Sequence, residues 1–261
     1  MMNYLKSDEL VSVIVNCHNG EAYLNQCINS ILNQTYTNLE LVFFDNFSSD
    51  HSLSIIQAYK DNRIKIYRAN KFLKLYEARN EAVKKTTGKY VCFLDTDDYW
   101  ENTKIENQLI FMDKNPEYSI VYSNYYIFDE KKNIQFLRYD HLLPHGNITK
   151  KILKNYTISI LTVLIKKEIF RKFNFNSNLS ILGDFDFFVK ISEDFKIGCI
   201  QKPLATYRVH NNNYSKRNIK EYIFELQNWI NENSISLKEK GFNLFNQKYL
   251  LFKLKIKNLI L

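Results

Sequence analysis

The stretch Tyr90-Val91-Cys92-Phe93-Leu94-Asp95-Thr96-Asp97-Asp98 decides the fold of this chain. Its first five residues are apolar, which is typical of a buried strand in a parallel sheet. The aspartates follow directly, so we expect them at the carboxyl end of that strand, where open α/β sheets bind their ligands. Two carboxylates one residue apart can hold Mg²⁺ or Mn²⁺ together with substrate phosphates. A solvated turn capping the helix predicted near Thr103 has the same pattern, so the surrounding sequence must distinguish the two.

Strands and helices alternate before this stretch. Apolar runs predict strands at 11–15, 40–44 and 64–67, and helical spacing or good N-cap residues predict helices at 23–32, from 48–50 onward and at 77–86. Alternation at this spacing is typical of βαβ units. The sequence therefore predicts a mostly parallel, Rossmann-like sheet.

The pattern changes after Trp100. Predicted helices end before Pro116 and cover 148–156 and 185–193, and predicted strands cover 119–128, 134–137 and 161–165. From about Ser215 the chain is predicted to be helical and lysine-rich to its end. The fold class is thus α/β, with a central sheet flanked by helices and a C-terminal helical extension.

The composition is that of a globular protein with an anionic partner. The 261 residues carry a net charge of +8, which favours a nucleotide, a phospholipid surface or nucleic acid. The lysines are scattered, and no basic stripe or stacking motif supports a nucleic-acid partner. The four cysteines form no C-x-x-C pair, which indicates reduced thiols and a cytoplasmic protein. Neither a signal peptide nor a membrane-spanning apolar run is recognisable.

The glycine-rich phosphate-binding motifs are missing. The chain contains no G-x-G-x-x-G after its first strand and no G-x-x-x-x-G-K-[ST], and Gly20 is the single glycine near the first turn. Bound phosphates would therefore depend on a metal ion and on side chains.

Several colinear segments between about 10 and 212 resemble the family 2 glycosyltransferases of the GT-A type. The resemblance rests on segments that occur in the family's order: Val11-Ser12-Val13-Ile14-Val15-Asn16-Cys17-His18-Asn19, Ser30-Ile31-Leu32-Asn33-Gln34-Thr35-Tyr36, Phe44-Asp45-Asn46-Phe47-Ser48-Ser49-Asp50, Ala78-Arg79-Asn80, Asp95-Thr96-Asp97-Asp98, Gly183-Asp184-Phe185-Asp186 and Tyr207-Arg208-Val209-His210. It implies a GT-A domain over 1–212, with a nucleotide-sugar half to about 100 and an acceptor half over 101–212, followed by a helical tail over 213–261.

The resemblance also implies roles for the acidic turn. It assigns Asp97 to a Mn²⁺ or Mg²⁺ ion and Asp95 to the donor's ribose or sugar, or to the metal through water. His210, with Arg208 nearby, is implied to complete the metal or diphosphate site. For Asp98 a turn or cap role is an equal alternative.

The nucleotide is implied to lie against the first strands. Asn16, Asp45 and Asn46 match positions that bind the donor, although Asp45 could merely form a turn. The family often has a second aspartate where this chain has Asn46, whose amide can still donate to and accept from a base. Arg79 is implied to contact the nucleotide or its diphosphate, rather than to be a solvated charge.

Asp184 matches the family's general base. Aromatic neighbours would raise its pKa toward the range that a base needs. The competing interpretation is an N-cap aspartate, which is a common role. Asp186 is the fallback for the base.

The resulting hypothesis is an inverting, metal-dependent transferase that moves a sugar from a nucleotide-diphosphate sugar, with a UDP-sugar favoured, to a glycan or lipid-linked acceptor in bacterial surface polysaccharide or glycoconjugate synthesis. The alternatives are a sugar-phosphate nucleotidyltransferase and a catalytically degenerate domain that serves as a binding or assembly subunit. The lysine-rich tail at 248–261 either packs on the domain or on a second subunit, or touches an anionic membrane. Contact with a membrane would make the cytoplasmic protein peripheral at the inner face of the cell membrane.

Overall fold

A nine-stranded sheet forms the centre of the molecule. The computed structural model describes residues 8–211, 213 and 218–260. Its strands are β1 (Val11–Cys17), β2 (Leu39–Asp45), β3 (Ile64–Arg68), β4 (Tyr90–Phe93), β5 (Tyr99–Trp100), β6 (Ile120–Asp129), β7 (Ile134–Leu137), β8 (Leu164–Lys166) and β9 (Ile197–Val209). They are ordered β3-β2-β1-β4-β8-β6-β9-β5, and β7 pairs with β6 at the side of this path.

Eight α-helices are described around this sheet. They are α1 (Leu24–Leu32), α2 (Ser52–Ala58), α3 (Leu75–Val83), α4 (Lys104–Lys114), α5 (Thr149–Lys154), α6 (Gly183–Asp194), α7 (Ile219–Glu239) and α8 (Phe245–Ile260). Alternate residues of a strand point to opposite faces of a sheet, and here Val13 joins one hydrophobic cluster while Ile14 joins the other. Helices α1, α2 and α4 contribute to the first cluster, and α3, α5, α6 and α7 contribute to the second. The sheet is therefore covered on both faces.

The first four strands confirm the predicted α/β fold. β1 pairs in parallel with β2 and β4, and β2 pairs in parallel with β3. In this register Cys17 lies opposite Asp45, at the carboxyl ends of both strands. The turn that follows β4 lies at the same edge, since β4 is parallel to β1.

The second half of the sheet is mixed, and two of its strands differ from what the sequence predicts. Instead of a strand over 161–165, the chain forms a 3₁₀ turn (Ile160–Thr162) and then the short β8, antiparallel to β4 and β6. The long strand β9 was not predicted, because Lys202 and Pro203 interrupt its apolar pattern. Its pairing with β6 shifts register between Ser123 and Asn124, where Ile200 and Pro203 are the successive partners. A bulge of this kind accommodates a proline that a regular ladder would exclude.

The C-terminal segment packs on the second cluster. Leu226 and Trp229 of α7 and Leu251 of α8 belong to it. The segment is two helices and not one, because Gly241 adopts a φ of 81° after α7. Residue 212, at the end of the predicted GT-A domain, and the predicted helix start near 215 lie outside the described residues. In the described part of the chain, no helix combines the length and apolarity needed to cross a bilayer.

Candidate functional site

The acidic turn after β4 is held in place by β9. Asp98 is buried, and its carboxylate accepts the backbone N–H of Arg208 at 2.9 Å. The Arg208 Nε in turn donates to the backbone oxygen of Asp97 at 2.9 Å, and its Nη2 donates to Gln26. Asp98 therefore anchors the turn, while Asp95 and Asp97 keep 37% and 26% of their side chains exposed.

Gly20 allows this turn to approach the end of β1. A Cβ atom at Gly20 would lie 2.8 Å from the Oγ1 of Thr96, which is closer than side chains can pack. The glycine near the first turn thus serves close packing against the acidic turn.

Arg79 joins Asp95 of the acidic turn to Asp184 of α6. Its guanidinium is only 2% exposed; Nη1 lies 2.6 Å from Asp184 Oδ1 and Nη2 lies 2.8 Å from Asp95 Oδ1. The ring of Tyr76 lies below the guanidinium, 5.3 Å from its carbon. Burial works to lower the pKa of Arg79, but Asp184 and Asp95 outweigh it and raise that pKa. The arginine therefore stays charged and ties two residues that are 89 positions apart in the chain.

Asp184 lies in the first turn of α6, but it is not the cap. The N-cap position is Leu182, which offers no capping side chain, so the cap interpretation of Asp184 is not what the structure has. Burial raises the pKa of Asp184 to about 6, although the neighbouring Arg79 acts to lower it. With 22% of its side chain exposed, Asp184 is accessible from solvent, and its pKa is suited to proton transfer near neutrality.

The carboxylate of Asp186 is buried and already has two side-chain partners. It is 1% exposed, accepts the Nε1–H of Trp229 at 2.9 Å and pairs with Lys190 at 2.7 Å. A buried carboxylate with these partners cannot reach a substrate hydroxyl, so it does not serve as the fallback base.

Glu225 of α7 holds the segment that leads to Asp184. Its carboxylate accepts the backbone N–H groups of Ser180, Ile181 and Leu182 at 2.5, 3.0 and 2.9 Å. The first N–H groups of a helix and the residues before it need partners, and an anion is favoured there. Sequence reasoning missed Glu225 and Trp229, because a glutamate and a tryptophan on a polar helix carry no sign of what they will contact more than 40 residues away.

Replacement of Glu225 by glutamine is expected to lower the free energy of unfolding by about 2–4 kcal/mol, because hydrogen bonds to a buried charge each contribute ~1.5–3 kcal/mol and an amide NH₂ would face N–H donors. Urea denaturation followed by circular dichroism measures this. The matched control is Glu232→Gln, an exposed glutamate of the same helix. Equal midpoints for the two variants would contradict the contribution of Glu225.

Asp97 and His210 meet at the other side of the turn. Asp97 Oδ2 lies 2.9 Å from His210 Nε2, and the side-chain amide of Asn213 is 3.4 Å from the same oxygen. Burial and the nearby Asp95 raise the pKa of Asp97, while His210 acts to lower it. A site with crowded carboxylates and an imidazole favours an added cation.

Asp97 and His210 fit as two of the ligands in a six-coordinate shell. Among the residues that the structure describes, no group of three or more His, Cys, Asp or Glu side chains is arranged to hold a metal ion. Mg²⁺ and similar ions, however, are commonly held by one or two carboxylates plus substrate phosphates and waters. Asp97 with His210 therefore suits a cation that arrives with a diphosphate, and does not suit a closed structural site.

The residues predicted at the nucleotide differ in how they are engaged. Asp45 is buried, accepts the N–H of Ser48 at 3.3 Å and lies 3.0 Å from Arg68 Nε. The amide of Asn46 donates to the backbone oxygen of Leu73 at 2.8 Å and accepts the Leu73 N–H at 2.9 Å, so it shapes a loop. These two bonds use one of its two N–H groups and one of its two lone pairs. The buried Nδ2 of Asn16, in contrast, finds no hydrogen-bond partner among the described residues.

Comparison with known proteins identifies this arrangement. Residues 12–173, well over half of the chain, match the sequence profile described as Glycosyl transferase family 2. The chain belongs to glycosyl transferase family 2. It is thus an enzyme of glycosyl transfer, and Arg79, the acidic turn and the carboxyl ends of β1, β2 and β4 all lie inside the matched region.

Two relatives from Escherichia coli are described by the same activity. WfgD, a UDP-Glc:alpha-D-GlcNAc-diphosphoundecaprenol beta-1,3-glucosyltransferase, is 32% identical over 217 residues, which are 82% of this chain and 83% of that protein. WfaP, with the same description, is 42% identical over 119 residues, which are 46% of this chain and 47% of that protein.

The fold of family 2 is also seen in solved structures. The Staphylococcus aureus TarS fragment 1–349 in complex with UDP-GlcNAc superposes with a TM-score of 0.69 at 20% identity, over 85% of this chain and 66% of that chain. At this identity the likeness establishes the fold alone.

Proposed function

We propose that this family 2 enzyme transfers a sugar from a UDP-sugar, with inversion, to a hydroxyl of a lipid-diphosphate-linked saccharide. The observation that carries the proposal is the Asp95–Arg79–Asp184 bridge, which sets a carboxylate with a pKa of about 6 beside the acidic turn. The activities of WfgD and WfaP support UDP-glucose as donor and a diphosphoundecaprenol-linked acceptor.

The donor would lie along the carboxyl ends of β1, β2 and β4. The Nδ2 of Asn16 is a buried donor that lacks a partner among the described residues, so we assign it to an acceptor atom of the nucleotide. Asp95, whose carboxylate is oriented by Arg79, would accept from a hydroxyl of the ribose or sugar. A donor hydroxyl bound to Asp95 would thus also act on Arg79, and Arg79 binds Asp184 through the same guanidinium.

Asp97 and His210 would hold Mn²⁺ or Mg²⁺, and that cation would neutralise charge on the diphosphate as it leaves. The chain's own part of the reaction belongs to Asp184. Its carboxylate takes the proton of the acceptor hydroxyl; the oxygen forms a bond to the anomeric carbon, and the bond from that carbon to the diphosphate oxygen breaks. Attack opposite to the leaving group inverts the anomeric configuration.

Arg79 tunes this base. While it pairs with Asp184, it orients the carboxylate and keeps its pKa from rising further. The two aspartates share one guanidinium. When a donor hydroxyl binds Asp95, the interaction of Arg79 with Asp184 changes, and the pKa of Asp184 changes with it.

A direct assay tests the proposal. Purified enzyme with Mn²⁺ and an α-GlcNAc-diphosphate-lipid acceptor is expected to transfer sugar from UDP-glucose at least tenfold faster than from GDP-mannose. The product, examined by nuclear magnetic resonance, is expected to carry a β linkage, and EDTA to abolish its formation. A retained α linkage would overturn the inverting mechanism, and transfer from GDP-mannose alone would overturn the donor assignment.

A further inference from the structure

Helix α8 is fixed to the domain by one face. Gln247 and Leu251 are buried, and the Gln247 amide donates to the backbone oxygen of Leu153 in α5. Lys255 also donates to Gln227 of α7 at 2.9 Å. The helix is therefore a docked part of the molecule, and its opposite face has a defined direction.

That opposite face is apolar and exposed. Five large side chains lie on it, with exposed fractions of 71, 49, 60, 42 and 85%: Phe245, Tyr249, Phe252, Ile256 and Leu259. They are spaced by four, three, four and three residues, so they form one stripe along the helix, ~20 Å long at 1.5 Å per residue. The rings of Phe245 and Tyr249 already stack on each other at 6.4 Å. Single exposed apolar residues are ordinary, but a continuous stripe marks an interaction surface.

Lysines flank the stripe on both sides. At 100° per residue, Lys248 and Lys255 fall on one side of it, and Lys253 and Lys257 fall on the other. The helix contains no Asp or Glu between Phe245 and Ile260. Lysine can lay its hydrocarbon stem along an apolar surface and still place its charge in a polar headgroup region.

The positive charge around the stripe indicates which partner it binds. A second copy of the chain laid on the stripe would bring lysines against lysines, with no acidic residue of α8 to pair with them. An anionic lipid surface supplies acyl chains for the stripe and phosphates for the lysines. We propose that the stripe on α8 docks this enzyme in the plane of an anionic membrane. The inference does not depend on the donor or on catalysis, but it would bring the site to a lipid-linked acceptor.

Vesicle co-sedimentation of the full chain, without donor or acceptor, tests this docking. The wild type is expected to bind vesicles of 30% phosphatidylglycerol in phosphatidylcholine far more tightly than pure phosphatidylcholine vesicles. Phe252→Ser is expected to weaken the binding roughly tenfold through lost apolar burial. Lys248→Gln with Lys253→Gln is expected to weaken it about 30-fold, since each lysine near such a surface contributes ~1 kcal/mol.

The matched control also removes two positive charges, but at positions outside α8. Lys60→Gln with Lys114→Gln changes two exposed lysines outside α8, so it should leave binding within about threefold of the wild type. Weakening equal to that of the α8 pair would show attraction by net charge alone and would overturn the proposal. A wild-type dimer in light scattering that Phe252→Ser dissociates, or equal binding to neutral and anionic vesicles, would overturn it as well.

Discussion

Asp184→Asn is expected to reduce the rate of sugar transfer by about 10²–10⁴-fold, the range that a positioned general base contributes. The asparagine keeps an oxygen that can accept from Arg79, so the bridge to Asp95 survives with one ion pair fewer. Affinity for UDP should change by less than about threefold, because the proposed role of Asp184 is toward the acceptor and not the nucleotide. Single-turnover transfer and isothermal titration calorimetry separate the two effects.

The pH dependence of the wild type belongs to the same prediction. A protonated Asp184 cannot accept the hydroxyl proton, and burial raises its pKa to about 6. Transfer measured as kcat/KM should therefore fall tenfold per pH unit below about pH 6 and level off above it. Asp186→Asn is the matched control: it changes a committed carboxylate of the same helix, so the pH at which activity falls should not move. An unchanged rate in Asp184→Asn would mean that another group takes the proton.

Asp97→Asn is expected to weaken UDP binding in the presence of Mn²⁺ by about 100-fold or more, because a metal ion contributes several kcal/mol to holding a phosphate. In EDTA, Asp97→Asn should no longer weaken UDP binding. Without a cation, Asp97 repels the diphosphate, so its removal should leave UDP affinity equal or slightly higher. Calorimetry with and without Mn²⁺ measures both values.

The control for this variant is Asp140→Asn, at an aspartate whose side chain is 98% exposed. It should leave the Mn²⁺-dependent gain in UDP affinity unchanged. A similar loss in EDTA and in Mn²⁺ for Asp97→Asn would instead show that Asp97 supports the turn through Asn213 and His210, without contact to a metal.

The nucleotide-binding edge could be predicted because it depends on local pattern. A run of apolar residues followed by polar ones predicts where a strand ends, and parallel strands bring those ends to one edge. The structure confirms β1, β2 and β4 and the acidic turn at that edge. The roles of Asp97, His210 and Asp184 in metal binding and catalysis stay predictions, since they rest on the resemblance and on the geometry together.

Partnerships between distant side chains could not be predicted. From sequence, Arg79 was assigned to the nucleotide or its diphosphate, and the structure adds a buried bridge that it forms between Asp95 and Asp184. Asn46 was assigned to the base, and the structure adds the two hydrogen bonds of its amide to the loop at Leu73. The hydrogen-bond capacity of a side chain is known from its chemistry, whereas the partner that saturates it is decided by packing.

The sequence by itself determined that this protein has an α/β sheet with carboxylates at its ligand edge, because strand periodicity and residue order are encoded over a few neighbouring positions. Only the tertiary structure decided which carboxylate is free for chemistry. Asp98 and Asp186 are buried and hydrogen-bonded to Arg208 and Trp229, while Asp184 stays partly exposed with a raised pKa. The difference between these aspartates is burial and hydrogen bonding, and both come from residues that the chain brings together over 40 to more than 100 positions.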